Sequence, residues 1–492
     1  MNKNNLSICL VILLTVTIQG YAQKKLTLNS VIQLAVDQSP AALRAETIKE
    51  NRYWIYRTFK SDYVPQLSLE GTLPDFNSRV RPVIQPDGST EFVRVRNSNS
   101  DLTLSLSQAV PITGGRIFFN STVNRFDDFD TDITRYAGDP AIVGFEQPLF
   151  AFNPLKWDKK IEPLRYEESK REYVEAIEEI SQESSNRFFD LLSAQISLQI
   201  AEQNVANNDT IFKIAQGRYQ LGKIPENDLL QLELNLMNSR QAVAQANLDL
   251  ETSTLSLRAY LGLKEDDALE LIVPAVIPEF EVDEAVALDE AKKNRQEAIA
   301  FQRRRLEAER DVAQANGDNG LNANLFANFG LTNNGNQFGD IYQNPQDQQR
   351  VRLGFAIPIL DWGRQKSRVK TAQANQKLVQ YTVQQEEVNF DQQVITQVKQ
   401  FKMLKDQVAI TQRADDISQR RYNIAKNRYL IGKISITDLS IALTEKDRAK
   451  RDYISSLGNF WAAYYELRRL TLFDFSQNLR LYKEEAVDDQ YD

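Results

Sequence analysis

Two stretches, Arg218-Tyr-Gln-Leu-Gly-Lys-Ile-Pro-Glu-Asn-Asp-Leu229 and Arg428-Tyr-Leu-Ile-Gly-Lys-Ile-Ser-Ile-Thr-Asp-Leu439, repeat one another 210 residues apart. The same offset relates Pro148 to Pro358 and Leu257-Arg258 to Leu467-Arg468, so the two halves align without a gap from the first landmark to the last. Further upstream, Leu28-Asn-Ser-Val-Ile-Gln-Leu34 pairs with Val282-Asp-Glu-Ala-Val-Ala-Leu288 at an offset of 254, which places about 44 extra residues in the first half before Pro148. A period above 200 residues is a duplication on the scale of a domain, far longer than a solenoid unit.

The repeated stretches lie between long helical runs. From Asn153-Pro154, a favoured cap and first-turn pair, to about Tyr219, only Pro163 near the start interrupts a helix. That run is roughly 100 Å long at 1.5 Å per residue. A second run, from about Glu226 to Leu261, places Leu229, Leu232, Leu236, Val243, Ala246, Leu250, Leu257 and Tyr260 at three-four spacing, with Ser239 and Ser253 in the gaps. This is a coiled-coil seam with small residues that permit close approach. The second half copies the pattern from about Arg364 to Tyr429 and from Thr437 to Leu472. Gly222-Lys-Ile-Pro225 and Gly432-Lys-Ile-Ser435 are then the turns of two helical hairpins. The remaining surfaces of these helices are rich in Gln, Asn, Glu, Lys and Arg and face water.

Before each long run the period changes to two. Leu102, Leu104 and Leu106 alternate with Thr and Ser, and Val351, Leu353, Phe355 and Ile357 alternate with Arg350, Arg352, Gly354 and Ala356. Ala323, Leu325, Ala327, Phe329 and Leu331 alternate mostly with asparagine, and weaker alternation occurs at Gln66–Gly71, Ile117–Val123 and Ile142–Glu146. One face suits lipid and the other an aqueous lumen. Pro74–Ser100 reads as a long polar loop with its own hairpin at Pro86-Asp-Gly88, and Pro111–Gly115 as a tight turn on the opposite side. Each half supplies two strands, and the extra residues supply one further hairpin, so a chain offers four strands or six. Neither number closes a barrel, and an open edge is not tolerated in lipid. Three chains would give twelve or eighteen strands above twelve long helices.

Composition narrows the chemistry. The 492 residues hold no histidine, one cysteine (Cys9) and a formal charge of −8. Ser-His and Cys-His nucleophiles and His-ligated metals are excluded, no cofactor is implied, and the dispersed basic residues argue against a nucleic-acid surface. Residues 1–22 read as an export signal: Lys3, the apolar run around Leu10–Val16, and Gly20-Tyr21-Ala22 before the cut. That apolar run is shorter than the ~20 residues of a spanning helix.

The tandem arrangement resembles the TolC-like outer-membrane efflux family. The resemblance is carried by the entry segment Leu26–Pro40, the strand-to-helix junctions after Pro148 and Pro358, and the two Arg-Tyr-x-x-Gly turns with their following Asp-Leu, and it covers nearly the whole mature chain. It implies a membrane α+β fold: a trimeric outer-membrane β-barrel continuous with a long periplasmic α-helical barrel, built from two tandem structural repeats. Residues 23–64 would be the entry helices of the first repeat, 65–147 its strands with the inserted hairpin, and 148–263 its long helical hairpin. Residues 264–320, 321–358 and 359–472 would repeat that order, with 473–492 an equatorial segment and acidic tail.

The implied role is the outer-membrane exit duct of a tripartite efflux or type I secretion system. It would work as a homotrimer in outer-membrane lipid, joined through a periplasmic adaptor (membrane fusion) protein to an inner-membrane pump such as an RND or ABC transporter. No reaction is catalysed in such a duct. Asp228 and Asp438 match the acidic positions that narrow the family's periplasmic gate, and Tyr429 matches a tip tyrosine that bonds the neighbouring hairpin. The pattern departs at Ile441, where a second acidic ring would fall, and at Ile434, where a basic partner would fall, leaving Arg218, Arg428 or Lys433 to close the network. Asp228 and Asp438 serve equally well as stabilisers of helix N-termini. Leu221-Gly222-Lys223-Ile224 and Ile431-Gly432-Lys433-Ile434 would be the adaptor-contact tips, and Trp157 and Trp362 fit an interface belt. The alternative is an exported coiled-coil structural or adhesive stalk without a channel.

Overall fold

A computed structural model describes residues 24–263 and 269–483; the expected export signal and the expected acidic tail from Glu484 lie outside them. In chain order the elements are β1 (Lys24–Leu26), α1 (Leu28–Gln38), α2 (Pro40–Ser61), β2 (Gln66–Ile84), β3 (Thr90–Val110), β4 (Gly115–Asp128), β5 (Ile133–Leu149), α3 (Pro154–Gln220) and α4 (Glu226–Leu261). The second half gives β6 (Leu269–Leu271), α5 (Glu284–Asn294), α6 (Gln296–Gly317), β7 (Asn322–Gly335), β8 (Gln346–Ala356), α7 (Arg364–Leu430), α8 (Ile436–Thr471) and the short strands β9 (Phe473–Asp474) and β10 (Leu479–Arg480). The paired helices match in length as well as in order: α3 and α7 have 67 residues each, and α4 and α8 have 36.

The entry helices correct the upstream offset. Thr27 caps α1 and Asp283 accepts from the first amides of α5, while buried Val31 and Ala35 correspond to buried Ala287 and Ala291. These equivalences require an offset of 256 rather than 254. The string match slipped by two residues because apolar spacings of three and four on a short helix fit neighbouring registers almost equally well.

The chain forms two compact units. Of the described residues, one takes those from Lys24 to Glu46 with those of Val174–Glu290 and Val394–Leu481; the other takes Thr47–Tyr173, Ala291–Gln393, Tyr482 and Lys483.

In the first unit, α4 and α8 pack on the later parts of α3 and α7. Phe188, Leu191, Leu192, Leu257, Ile454, Leu457, Phe460 and Leu467 are fully buried there. Gly458 permits the closest approach, since a Cβ at that position would lie 3.1 Å from Phe189. A charged knot sits beside this core. Arg468 pairs with Glu178 at 2.8 Å and Asp474 at 3.2 Å, Arg469 with Glu175 at 3.1 Å, and the Tyr464 hydroxyl donates to Asp474 at 3.1 Å.

The second unit holds one six-stranded antiparallel sheet in the order β2-β3-β4-β5-β7-β8. The inserted hairpin therefore joins the same sheet. The loop expected over Pro74–Ser100 is not a loop: the β2–β3 ladder shifts register between Thr72 and Asp75 and then continues to the Ile84–Thr90 pair. Phe76, Val80, Val93 and Val95 keep strand-forming side chains in a stretch whose Arg, Asn and Ser residues mask the alternation. Below the sheet, α2, α3, α6 and α7 join side by side. Tyr56 stacks on Tyr166 at 4.5 Å, Arg303 binds Glu168 at 2.5 Å, and Arg304 and Arg305 engage Glu386 and Glu387. Asn153 fixes one strand-to-helix junction by accepting from the Lys156 amide at 3.2 Å and donating to the Pro111 carbonyl at 2.8 Å. Asp361 fixes the other, accepting from the Gly363 and Gln365 amides.

Removing the cation from the charged knot strands two nearly buried carboxylates. Arg468→Met is expected to cost about 3–5 kcal/mol, seen as a lowered thermal midpoint by circular dichroism. Adding Glu178→Gln should recover part of that loss, and an unchanged midpoint for the single variant would show that the knot contributes nothing.

Candidate functional site

The two hairpin turns are built alike. At the end of α3, the Gly222 amide donates to the Tyr219 carbonyl at 2.8 Å and the Lys223 amide to the Arg218 carbonyl at 2.9 Å. At the end of α7, Gly432 and Lys433 make the corresponding bonds to Tyr429 and Arg428 at 2.8 and 2.9 Å. Gly222 has φ +66° and Gly432 +73°. A Cβ at either position would meet nothing within 4 Å, so glycine is required there for its backbone angle and not for space. This left-handed closure turns Ile224 and Ile434 inward onto a buried cluster of Ile211, Ala215, Leu232, Tyr422, Tyr429 and Leu439. Leu221 and Ile431 point outward, 70% and 65% exposed, beside exposed Lys223 and Lys433. Of the expected contact tips, only Leu221 and Ile431 present apolar surface to solvent.

The two turns differ in their caps. Ser435 and Asp438 form a reciprocal capping box: the Asp438 amide donates to Ser435 Oγ at 3.1 Å, and the Ser435 amide and hydroxyl donate to Asp438 Oδ2 at 3.1 and 2.8 Å. These bonds from Ser435 hold the Asp438 carboxyl below its ordinary pKa. The equivalent cap of α4 is Pro225, which has no side-chain bond to offer, and Asp228 is half-buried without a box. Its carboxylate instead acts on Tyr429. Burial pushes the Tyr429 hydroxyl above its ordinary pKa, Arg218 opposes this, and Asp228 adds to it.

Arg218 joins the hairpins. Its guanidinium donates to the Tyr429 carbonyl at 3.4 Å and to the Leu430 carbonyl, and lies 5.8 Å from the Tyr429 ring. It thereby satisfies the Leu430 carbonyl at the negative end of α7 and adds a second donor to the Tyr429 carbonyl, which the Gly432 amide already bonds. The duplicated residue, Arg428, is exposed, and its side chain makes no hydrogen bond or ion pair among the described residues.

One feature escaped the sequence reading. Among α3, α4, α7 and α8 lies a cavity of about 260 Å³, lined in part by Asn204, Asn208, Asn235, Tyr422, Ser440 and Asp447. Asn204 donates to Asp447 at 2.6 Å and Asn208 to Ser239 at 2.6 Å, and nearly buried Lys446 lies 3.0 Å from Asp447 and 4.7 Å from the Tyr422 ring centre. The Tyr422 hydroxyl and Asn204 Oδ1 are buried without a partner among the described residues. The signal was present as asparagines at seam-facing positions, but their spacing marks no motif.

The sheet supplies the other half of the site. Directly opposed residues Leu67, Leu106, Phe119, Val143 and Phe329 cross five strands on one face, and the row of Ile117, Phe145, Ala327 and Val351 runs beside it. Leu67, Val143, Phe329 and Val351 are more than half exposed. Apolar side chains thus face outward over a continuous band, while the opposite face mixes Ser, Asn, Arg and Glu with Phe118, Phe326 and Ile142. Trp362 is almost wholly exposed just past the junction, and Trp157 is half-buried under Lys160. No described helix is long and apolar enough to cross a membrane.

A sheet with one lipid-compatible face, on the same chain as duplicated long helical hairpins, is the architecture of an outer-membrane channel subunit. The chain belongs to the outer membrane efflux protein family, whose sequence profile matches residues 93–263 and 285–471. Membership places the protein in the outer membrane, extending into the periplasm, and the family is one of channels rather than enzymes. The fold is similar to that of the Campylobacter jejuni CmeC outer membrane channel, with 15% identity over 93% of this chain and 87% of that one and a TM-score of 0.66. It is also similar to VceC from Vibrio cholerae (15% identity, 90% and 95% covered, TM-score 0.62). The Neisseria gonorrhoeae MtrE channel in its open state is similar again (13% identity, 90% and 88% covered, TM-score 0.61). No curated protein matches by sequence.

Loss of the capping box should be felt at one turn only. Ser435→Ala is expected to weaken the first turn of α8 by about 1 kcal/mol, read as roughly fivefold faster amide exchange there at neutral pH, with α4 unchanged. The carboxylate half of this cap is present above the ordinary carboxylate pKa and is lost as pH falls through the lowered Asp438 value. Equal acceleration at both turns would overturn the asymmetry.

Proposed function

We propose that the protein is the exit duct of a tripartite efflux or type I secretion system, a passive conduit assembled from three copies and gated at its periplasmic helical tips. The observation that carries this reading is the open six-stranded sheet. Its two outer strands, β2 and β8, each leave an edge of backbone groups unpaired in the chain, and its apolar face requires lipid. Three copies joined edge to edge would form an eighteen-stranded barrel and remove every edge. The sequence divisions at residues 23–64, 65–147, 148–263, 264–320, 321–358, 359–472 and 473–492 are proposed as the working parts of that subunit.

At the other end, three copies of each turn would surround the channel axis. Asp228 and Asp438 are assigned to the constriction, where repeated carboxylates favour cations. Arg218, bound to the carbonyls that end α7, is assigned to the closed state, with Tyr429 as its platform and exposed Arg428 and Lys433 available to neighbouring copies. Leu221 and Ile431, apolar and exposed beside the glycine turns, are assigned to the periplasmic adaptor. An inner-membrane pump of RND or ABC type would supply the energy.

Light scattering of membrane-extracted protein, with detergent mass subtracted, should give three chains; a monomer soluble without detergent would overturn the duct. In reconstituted channels, Asp228→Asn with Asp438→Asn should shift the reversal potential toward lower cation preference, and an unchanged potential would remove the carboxylates from the constriction. Ile431→Glu should abolish export while the trimer persists, because that side chain is 65% exposed in its own chain. Normal drug tolerance in that variant would place docking elsewhere.

A further inference from the structure

On the face opposite the apolar band, two adjacent cross-strand rows carry an unusual set of side chains. One row runs Arg116, Glu146, Phe326, Arg352, and the next runs Phe118, Gly144, Asn328, Arg350. Both rows lie at the end of the sheet that leads into the long helices. We infer that Arg350 and Arg352 form a cationic girdle on the luminal wall where the helical duct enters the barrel, a binding zone for negatively charged solutes. The inference rests on the barrel reading above, which makes this face luminal.

The charges do not cancel locally. Glu146 is engaged by Arg116 at 3.4 Å and by the Asn324 amide at 2.8 Å. Arg350 and Arg352 have no carboxylate partner among the described residues, and both are exposed. They stand two residues apart on one face of β8, about 7 Å along the strand, so each raises the potential at the other. The following row, Ser68, Ser105, Asn120, Ile142, Gly330 and Gln348, is uncharged, and acidic Glu70 and Asp139 appear only in the row beyond it. Over these rows the face is therefore banded, basic next to the helices, then uncharged, then acidic.

Packing holds one member of the girdle, Arg352, in place. Phe118 lies flat over Gly144, where a Cβ would come within 2.4 Å of the ring. Phe326 stacks on Phe118 at 5.8 Å, and the guanidiniums of Arg352 and Arg116 lie 5.4 and 5.9 Å from the Phe326 and Phe118 ring centres. Two arginines thus flank an aromatic pair that holds their planes against the wall, an arrangement that favours cation-π contact over a free side chain. With three copies, six unpaired guanidiniums would face one aqueous passage with low-dielectric walls, which concentrates their field. Carboxylates, sulfonates and phosphate esters are the solutes such a zone retains.

The local potential can be read directly. Gly354 lies on the same face as Arg352 and is exposed, and a Cβ there would meet only the Asn324 carbonyl oxygen, at 4.0 Å. The only cysteine in the sequence is Cys9, so Gly354→Cys introduces a nearly unique thiol into the intact protein. Membrane-impermeant methanethiosulfonates bearing a sulfonate or a trimethylammonium group should react there with a rate ratio favouring the anion by roughly three- to tenfold over a free thiol at low salt. The ratio should collapse toward the free-thiol value in Arg350→Gln with Arg352→Gln, persist in the double Lys variant, and fall in 1 M salt without any further substitution. A ratio insensitive to both salt and the Gln pair would overturn the girdle while leaving the duct intact. A thiol that neither reagent reaches would overturn the luminal assignment and the duct with it.

Discussion

A backbone amide or carbonyl in hydrocarbon has no water to bond, and that constraint organises much of this molecule. Within the six-stranded sheet every inner strand is paired on both sides, leaving only β2 and β8 with a free edge. The insertion in the first half lengthens the sheet without altering this, because it adds strands between the edges rather than at one of them. The helices obey the same rule by other means, satisfying their own ladders and leaving only their ends to be capped. Asn153, Asp361, Ser435 and the glycine turns each answer for one such end.

The long helices were legible because punctuation bounds them: Pro154 and Glu226 start α3 and α4, Gly222 and Gly432 end the outgoing arms, and nothing between breaks the ladder except Pro163. The strand count stayed open between four and six, because the residues that would decide it, such as Arg116, Arg125 and Asp127, are polar on both faces near the sheet ends. The path of β2 past Pro74 was hidden for the same reason. At the turns, sequence gave Asp438 two readings, and the geometry supplies the capping box that accounts for its carboxylate without excluding the other. The reach of Arg218 to the end of α7 had no local signal. Its partners are backbone carbonyls more than two hundred residues away, and a carbonyl carries no residue identity to search for.

Duplication preserved the backbone of the turns while their side chains diverged. Ser435 caps where Pro225 does not, Arg218 crosses between hairpins where Arg428 reaches into solvent, and Asp228 leans on a tyrosine that Asp438 never meets. The cavity beneath them adds a polar interior with buried Lys446 and Asp447 to what would otherwise be a closed apolar seam. An unpaired hydroxyl or amide oxygen in a buried seam is costly, so an arrangement that gave either one a partner would be favoured over this one by that amount.

The unequal turns also settle a matter of symmetry. Two identical hairpins per chain, taken three times, would present six equivalent knobs to whatever approaches from below. Because Ser435 caps one knob and Pro225 offers the other no side-chain bond, adjacent positions around the proposed ring would alternate in how the first helical turn is held. In the trimer proposed above, the rim would be threefold in its chemistry although nearly sixfold in its backbone. A partner that engaged all six places would have to do so in two distinct ways, or bring its own subunits in pairs that are themselves not alike in pose.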